Sequence, residues 1–463
     1  MNRLVGLFAM LSLMEFPGFG QEPAHQFYFG VLTYPEHRYR LILDIEDSAL
    51  YVIGLRPNRI PLDKFRRDKN QISFSRADFF SGYEGIFNPA SNGIAGYWTD
   101  DDKKKIMLEF RVVDPDTISG FKPRVVPRSG YGVPAVEEGI PTRPFSEVGI
   151  DPGRIETLLD RLDEGDFEYV HSLLVSRRGA LVVEDYFYDF NGSAAFGIQS
   201  VTKSLVSALT GMAIARGEVG GGNDPILKWL DKKYKRDISN IAAPITLHHL
   251  MSMTTGLEWD EVTYDYGDER NSLSLADARD PFRLLFQKRK LPGNPFAYNS
   301  INHSLMNMVL RNATGLTNEM EITSRLLEPL GIKNFDLGNR DNRGLIGDIS
   351  LRPRDMLKFG MMYLNRGEFA GKQIVPAEWV EISTSTKVPV KENLGYGYFW
   401  WTTTYEWKGK EVGCYFAWGY GGQYIFVVPD LELVVVMNGT NWSTDPERYS
   451  RQIMQDYLVP ACE

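Results

Sequence analysis

Hydrophobic and polar residues follow different patterns in the first quarter of the chain and in the remainder. Between residues 25 and 113, short strand-like segments such as Tyr39–Ile45 and Lys105–Val112 are separated by Asp, Asn, Gly and Pro turns. This pattern is typical of a small all-β module. Residues 114–144 are rich in Gly, Pro and Arg without periodicity and indicate a linker. Residues 145–463 contain both helical and strand-like periodicity and predict a second, larger domain.

The larger domain is predicted to combine helices with an antiparallel sheet. Asp151 followed by Pro152 is typical of a helix start. The apolar face of that helix is formed by Ile155, Leu158, Leu159 and Leu162. Four segments rich in β-branched and aromatic residues predict consecutive strands at Phe399–Thr404, Glu411–Ala417, Tyr424–Val428 and Leu431–Met437. This order of elements favours an α+β fold.

A serine and a lysine stand three residues apart at the start of an apolar helical segment, in Ser200-Val201-Thr202-Lys203. Residues with this spacing share a helix face, so the ammonium group can lie beside the hydroxyl group. Burial or a cationic neighbour lowers the pKa of a lysine until it accepts a serine proton. The pair is a candidate nucleophile and base, and the alternative is that Ser200 only caps the helix.

Two later segments also carry candidate chemistry. Tyr298 lies in a turn rich in Pro, Asn and Ser before an apolar run, and the alternative interpretation is a half-buried aromatic residue. Tyr420-Gly421-Gly422 precedes the predicted strand Tyr424–Val428. Glycines beside a strand allow a ligand to approach the backbone closely.

These three elements, in this order, resemble the motifs of the penicillin-recognising serine hydrolases. That family includes class C β-lactamases, D-alanyl-D-alanine carboxypeptidases, esterases and 6-aminohexanoate-dimer hydrolases. The segments Ile245–Leu257 and Leu351–Gly360 are similar to two framework segments of the family, and the resemblance extends from about Phe145 to the C-terminus. It implies a β-lactamase-like α+β fold, an antiparallel sheet flanked by helices plus a helical region, preceded here by the small all-β domain.

The resemblance also implies roles for individual residues. Ser200 would form an acyl-enzyme, and Lys203 and Tyr298 would share the work of general base and acid, with the choice between them left open. The backbone N–H groups of Ser200 and Gln423 would form the oxyanion hole. The residues that would contact substrate are Ser300, Tyr420, Gly421 and Gly422.

Two departures from the family pattern bear on the substrate. Ser300 stands where the second motif usually has Asn, and Tyr420 stands where the third motif usually has Lys or His. A penicillin carboxylate would therefore lose its charged hydrogen bonds. We expect a small uncharged ester or amide, or a short peptide, with β-lactamase or D,D-carboxypeptidase activity as the alternative and a catalytically silent binding protein as a third, weaker one. Burial is then the main candidate cause for a lowered pKa of Lys203.

Other chemistries find little support in the sequence. It contains neither a G-x-S-x-G elbow nor an H-E-x-x-H zinc signature, and no phosphate-cradling loop or dinucleotide fingerprint. No cofactor and no metal are expected, and the adjacent His248 and His249 are interpreted as packing or surface residues. The net charge of −9 is spread over interspersed acidic and basic residues and gives no basic stripe for nucleic acid. Nothing in the sequence specifies an oligomeric state.

The N-terminal segment predicts where the protein works. Residues 1–20 contain Arg3, an apolar run Leu4–Met14 and small residues before position 21, which is typical of a secretory signal peptide. The run is too short to span a bilayer, and the alternative is an apolar N-terminal strand or helix. We expect a periplasmic or secreted protein. In such a protein Cys414 and Cys462 can form one disulfide if the fold brings them together.

Overall fold

The computed structural model describes residues 27–463 except 35–37, 46–47, 53–58, 77–79, 101–102, 114–131, 138, 168, 189, 240–243, 265–267, 278–279, 339–346 and 441–447. The predicted signal peptide and most of the predicted linker lie outside the described residues. The chain divides into two compact units. The division falls between the N-terminal strands, up to Val113, and the helices and strands that follow residue 144.

The first unit is one antiparallel sheet of nine strands in the order β4-β3-β2-β1-β9-β8-β7-β6-β5. Its strands are β1 Phe27–Thr33, β2 Arg38–Asp44, β3 Ala49–Val52, β4 Arg59–Pro61, β5 Arg66–Asp68, β6 Gln71–Arg76, β7 Phe80–Asn88, β8 Gly93–Thr99 and β9 Lys105–Val113. Alternate residues of β1 are buried, including Tyr28 and Leu32, as expected for a sheet with one covered face. Tyr83 packs edge-on against Phe110 in this core, with ring centroids 5.3 Å apart. The predicted all-β region is thus confirmed.

The second unit is built on an eight-stranded antiparallel sheet in the order β11-β10-β21-β20-β19-β18-β17-β16. The strands of this unit are β10 Val170–Arg177, β11 Ala180–Tyr186, β12 Phe196–Gly197, β13 Ser350–Leu351, β14 Glu368–Phe369, β15 Lys372–Gln373, β16 Val388–Lys391, β17 Leu394–Tyr396, β18 Trp401–Trp407, β19 Lys410–Gly419, β20 Gln423–Val428 and β21 Leu433–Gly439. Every residue of β10, β20 and β21 is buried. Because successive side chains point to opposite faces, both faces of the sheet are covered at its centre.

Helices of the second unit cover this sheet and form the helical region. They are Phe145–Val148, Pro152–Glu164, Thr202–Ala215, Lys232–Ser239, Leu247–Met251, Pro281–Phe286, Ile301–Thr314, Asn318–Ile322, Pro353–Leu364, Ala377–Thr384 and Arg448–Gln452. Single turns of 3-10 or π geometry lie at Gln199–Val201, Ile226–Lys228, Ser272–Asp277, Thr323–Leu327, Pro429–Leu431 and Ile453–Leu458. The predicted start of Pro152–Glu164 is confirmed, since the Asp151 carboxylate accepts a hydrogen bond from Gly153 N at 2.9 Å. Among the described residues, no helix has the length and apolar character needed to cross a membrane.

The helix Thr202–Ala215 lies in the centre of the second unit. Its residues from Thr202 to Ala213 are all buried. A Cβ atom on Gly211 would lie 2.1 Å from the Trp379 ring, so only glycine permits the helix Ala377–Thr384 to pack this closely. The helix that carries Lys203 is therefore fixed on several sides.

Three details differ from the sequence-based expectations. The strand predicted at Leu431 begins at Leu433, because Leu431 belongs to the 3-10 turn Pro429–Leu431. The strand predicted at Phe399 begins at Trp401, because Phe399 has a left-handed backbone (φ 61°) and its N–H donates to Met251 O at 2.9 Å, outside the sheet. Cys414 and Cys462 are both buried and both free. Their Sγ atoms contact the backbone carbonyl oxygens of nearby residues, so the disulfide considered from the sequence is not formed.

Candidate functional site

Ser200 and Lys203 lie side by side at the start of the buried helix. Ser200 belongs to the 3-10 turn Gln199–Val201, and Lys203 lies in the first turn of Thr202–Ala215. Lys203 Nζ is 2.8 Å from Ser200 Oγ, and the lysine is only 5% exposed. The three-residue spacing therefore brings hydroxyl and amine into hydrogen-bonding contact. The N-cap positions of the turn and of the helix are occupied by Ile198 and Val201, not by Ser200.

The turn before the helix is held in an uncommon conformation. Gln199 has a φ of 51°, in the left-handed region that non-glycine residues rarely occupy. The Asp348 carboxylate accepts hydrogen bonds from Gln199 N at 2.7 Å and Gln199 Nε2 at 3.0 Å. On the other side, a Cβ atom on Gly419 would lie 2.3 Å from Ile198 O. An acidic loop residue and a strand glycine together position the backbone beside Ser200.

Tyr298 contacts both members of the pair. The Ser200 side chain is close enough to influence the titration of the Tyr298 hydroxyl group, and Lys203 Nζ lies 4.9 Å from the centre of the Tyr298 ring. The ring stacks on Trp401, with centroids 5.7 Å apart. Burial raises the pKa of Tyr298, and the negative charge of Glu261 raises it further, while the neighbouring Ser200 side chain lowers it by a smaller amount. The phenol therefore keeps its proton at neutral pH.

Ser300 connects Lys203 to a buried carboxylate. Lys203 Nζ donates to Ser300 Oγ at 3.1 Å, and Ser300 Oγ donates to Glu261 Oε1 at 2.7 Å. The second carboxylate oxygen, Glu261 Oε2, accepts from Ser300 N and from Trp259 Nε1, each at 2.8 Å. Glu261 is only 2% exposed. Ser300 thus bridges the lysine amine and a buried acid.

Burial sets the protonation of Lys203. Desolvation lowers the pKa of Lys203 to about 8, although the negative charges of Glu261 and Asp348 act in the opposite direction. His303 is also close to Lys203. Its pKa falls to about 3, mainly through burial and also through the lysine charge, so that its imidazole is neutral at physiological pH. Lys203 is therefore the group beside Ser200 that changes charge near neutral pH.

A pocket of about 410 Å³ opens over Ser200 and Lys203. Four of the residues expected from the sequence line it, namely Ser200, Lys203, Ser300 and Tyr420. Its other walls are formed by Gln199, Thr202, Leu273, Ala276, Pro281, Phe282, Ile301, His303, Ser304, Gly347 and Asp348. Among the described residues that line the pocket, Asp348 is the acidic one and Lys203 is the only Lys or Arg.

The third motif lies where β19 turns into β20. Gly421 and Gly422 have φ values of 83° and 97°, which require glycine for an unstrained turn. They do not line the pocket, and neither do Tyr298 and Gln423. The Gln423 side chain is held by β21: its Nε2 donates to Gly439 O at 2.6 Å and its Oε1 accepts from Asn438 Nδ2 at 2.8 Å.

The adjacent histidines have structural contacts. His249 Nδ1 accepts a hydrogen bond from Thr246 N at 3.1 Å and closes a capping box, and His248 Nδ1 is 2.9 Å from the Tyr398 hydroxyl. Within the described part of the chain, no group of three or more His, Cys, Asp or Glu side chains has a geometry that could hold a metal ion.

Sequence reasoning did not identify Glu261 and Asp348. Glu261 lies four residues beyond the framework segment Ile245–Leu257, and Asp348 lies three residues before Leu351–Gly360. The position of an acidic residue close to each framework segment was therefore the one sequence signal that could have indicated these two site residues. Only the fold shows that both approach Lys203.

Comparisons with known proteins agree with this architecture. The chain is 22% identical to the 6-aminohexanoate-dimer hydrolase of Paenarthrobacter ureafaciens over 345 residues, which cover 69% of this chain and 84% of the relative. It is 27% identical to esterase EstB of Burkholderia gladioli over 149 residues, or 30% of this chain and 37% of the relative. The octameric penicillin-binding protein homologue of Pyrococcus abyssi has a similar structure, with a TM-score of 0.51 and 19% identity, covering 66% of this chain and 78% of that one.

The family model described as Beta-lactamase matches residues 168–456. This range contains more than half of the chain, including the helix of Lys203, the turn of Tyr298 and the sheet strands β10 and β16–β21. The chain therefore belongs to the Beta-lactamase family of serine hydrolases.

Proposed function

We propose that the protein hydrolyses a small ester or amide through an acyl-enzyme on Ser200. The observation that carries the proposal is the 2.8 Å contact between Ser200 Oγ and the buried amine of Lys203. The lowered pKa of about 8 makes a substantial fraction of this amine neutral at mildly alkaline pH. Tyr298, with its raised pKa, keeps its proton and serves as the acid of the pair.

In the proposed reaction, neutral Lys203 takes the hydroxyl proton of Ser200 while Oγ bonds to the substrate carbonyl carbon. The tetrahedral intermediate then breaks its bond to the leaving oxygen or nitrogen, which receives a proton from the phenol of Tyr298. Lys203 returns its proton to that phenol. Water, activated by the same lysine, next attacks the acyl-enzyme and releases the carboxylic acid and free Ser200. General acid–base catalysis of this kind contributes about 10²- to 10⁴-fold.

The oxyanion hole is proposed to consist of the backbone N–H groups of Ser200 and Gln423. Support comes from Gly419, because the position of its missing Cβ atom lies 2.3 Å from Ile198 O and 3.1 Å from Gln423 Cβ. The Ser200 turn and the start of β20 thus approach the same point. A donor of this type is worth about 2.7–4 kcal/mol in other enzymes.

An uncharged acyl donor fits the pocket better than an anionic one. Tyr420 lines the pocket at the third motif, where the pattern that this chain resembles has Lys or His, and the Asp348 carboxylate adds negative charge. Among the described lining residues, a substrate carboxylate would meet the like charge of Asp348, with Lys203 as the one Lys or Arg to compensate it. Apolar walls from Leu273, Phe282 and Ile301 fit a short hydrocarbon group.

The second candidate activity is that of a β-lactamase or D,D-carboxypeptidase. It is supported by membership of the Beta-lactamase family and by the structural likeness to a penicillin-binding protein homologue. A catalytically silent binding protein of the same fold is the third candidate.

Intact-protein mass spectrometry distinguishes these candidates. Wild-type protein and Ser200→Ala are mixed separately with a fluorophosphonate, a p-nitrophenyl ester and a penicillin. We expect a fluorophosphonate adduct and ester turnover that both depend on Ser200, with no penicillin adduct. A stable penicilloyl adduct would favour the second activity, and the absence of any adduct would favour the binding protein.

The proposed site of action is the periplasm or the cell exterior, with residues 1–20 removed as a signal peptide. In the proposed domain organisation, residues 25–113 form the small all-β module, residues 114–144 the linker and residues 145–463 the hydrolase domain. The apolar run Leu4–Met14 supports this proposal. Sequencing the N-terminus of protein recovered from a periplasmic extract tests it. A mature chain that still starts at Met1 would contradict it.

A further inference from the structure

A buried acid stands behind the lysine of the proposed site, one hydroxyl group away. The hydrogen-bonded series runs from Ser200 Oγ to Lys203 Nζ at 2.8 Å, to Ser300 Oγ at 3.1 Å and to Glu261 Oε1 at 2.7 Å. We infer that Glu261 is a positioning residue that acts through Ser300 to orient the Lys203 amine and to stabilise its protonated form. This inference rests on the proposed function.

The hydrogen-bond geometry fixes the direction of each contact. Glu261 faces three donors, namely Ser300 Oγ, Ser300 N and Trp259 Nε1, as expected for an ionised carboxylate that only accepts. The Ser300 hydroxyl uses its single proton toward Glu261, so toward Lys203 it can only accept. A neutral Lys203 must therefore aim one N–H at Ser300. Its lone pair remains available for the proton of Ser200.

The charge of Glu261 requires a cation nearby. An isolated buried carboxylate is strongly unfavourable, and Glu261 is 2% exposed. Its hydrogen-bond donors in the described part of the chain belong to Ser300 and Trp259, neither of which carries a charge. The nearest compensating charge in the hydrogen-bonded series is the ammonium that Lys203 acquires when Ser200 loses its proton. Glu261 thus stabilises the charge that develops during acylation, as the acid of a Ser-His-Asp triad does for its imidazolium.

The variant Glu261→Gln tests this role. In this variant the amide –NH₂ group donates a hydrogen bond to Ser300 Oγ. The Ser300 hydroxyl then turns its own proton toward Lys203, where it competes with the Ser200 proton for the lone pair of the lysine amine. Loss of the negative charge also lowers the pKa of Lys203 further, because Glu261 raises it. The other titratable groups facing Lys203 are Asp348, Tyr298 and His303, with Tyr396 behind Tyr298, and they are unchanged in this variant.

The measurement is the rate of fluorophosphonate labelling of Ser200 between pH 5.5 and 9.5 in the full-length protein. We expect Glu261→Gln to lower the alkaline plateau at least about tenfold and to move the midpoint of the acidic limb to lower pH. Glu261→Asp, which keeps the charge, should return the midpoint toward the wild-type value. A purely structural defect would lower the plateau without moving the midpoint, and that result would overturn the inference.

The matched control is Glu258→Gln, the same substitution three residues away on an exposed side chain that pairs with Arg289 at 3.6 Å. It should leave both plateau and midpoint unchanged, and an equal shift in this control would overturn the inference.

Should Glu261→Gln fail to fold, the second variant is Ser300→Ala, which keeps Glu261 and removes the hydroxyl group that links it to Lys203. A Ser300→Ala plateau equal to that of the wild type would also contradict the proposed role. Wild-type protein that takes no label on Ser200 would refute the proposed function itself.

Discussion

The pKa of Lys203 predicts a specific pH dependence of acylation. Only the neutral amine can accept the proton of Ser200, and burial lowers the pKa of this amine to about 8. Because the basic form appears as pH rises through the pKa, the neutral fraction is about 1% at pH 6, about 10% at pH 7 and about 90% at pH 9. The rate of Ser200 labelling should therefore rise about a hundredfold between pH 6 and pH 9 and then level off.

No other described group beside Ser200 is expected to titrate in this interval. Tyr298 keeps its proton because burial raises its pKa, and His303 stays neutral because burial lowers its pKa to about 3. The assay is intact-mass detection of fluorophosphonate adducts, corrected for reagent hydrolysis at each pH. Lys203→Met is the companion variant and should lose at least about a hundredfold in rate. A flat profile between pH 6 and 9, or near wild-type labelling in Lys203→Met, would refute the assignment of Lys203 as the base.

Further substitutions probe how the site is held. Gly419→Ala places a Cβ atom 2.3 Å from Ile198 O. It should cost about 1–3 kcal/mol of stability and lower the rate of Ser200 labelling. The control is Gly413→Ala on the same strand, whose Cβ atom meets no atom within 4 Å and which should change neither stability nor labelling. Equal melting temperatures and labelling rates in the two variants would contradict this account. Asp348→Asn removes a negative charge that raises the pKa of the pocket lysine, so the midpoint of the acidic limb should move to lower pH; a midpoint that rises would count against it. Asp151→Ala removes a helix cap and should cost about 0.5–2 kcal/mol in denaturant unfolding with labelling unaffected; unchanged unfolding would show that the cap contributes nothing.

Local patterns were sufficient to predict much of the fold. The helix from Pro152 follows from a cap, a proline and an apolar face, all of which are local signals, and the structure has it at Pro152–Glu164. The strand Tyr424–Val428 follows from its β-branched and aromatic residues, and β20 differs from it by one residue. The start of β18 was misplaced because Phe399 is held outside the sheet by a hydrogen bond to Met251, a contact far away in the sequence.

The candidate site likewise contains some contacts that local patterns predict and others that depend on the fold. The contact between Ser200 and Lys203 depends only on helical spacing and was accessible from the sequence. Glu261 and Asp348 reach the lysine through loops, and no periodic pattern specifies where a loop carboxylate points. The close approach of Ile198 O to Gly419 joins two segments far apart in the sequence, so no local pattern predicts it.

The pocket is formed by a buried helix start on one side and by short connecting segments on another. Lys203 stands on a helix whose first twelve residues are all buried, and Ser200 lies in the turn directly before it. Several of the pocket walls come instead from short segments at residues 272–277 and 347–348 that connect larger elements. Substitutions in those connecting segments can change the shape offered to an acyl group without disturbing the core. We therefore expect new substrate preferences to be reached through Leu273, Ala276 and Gly347, and a mutant library restricted to these positions should retain folded, Ser200-reactive protein in most of its members.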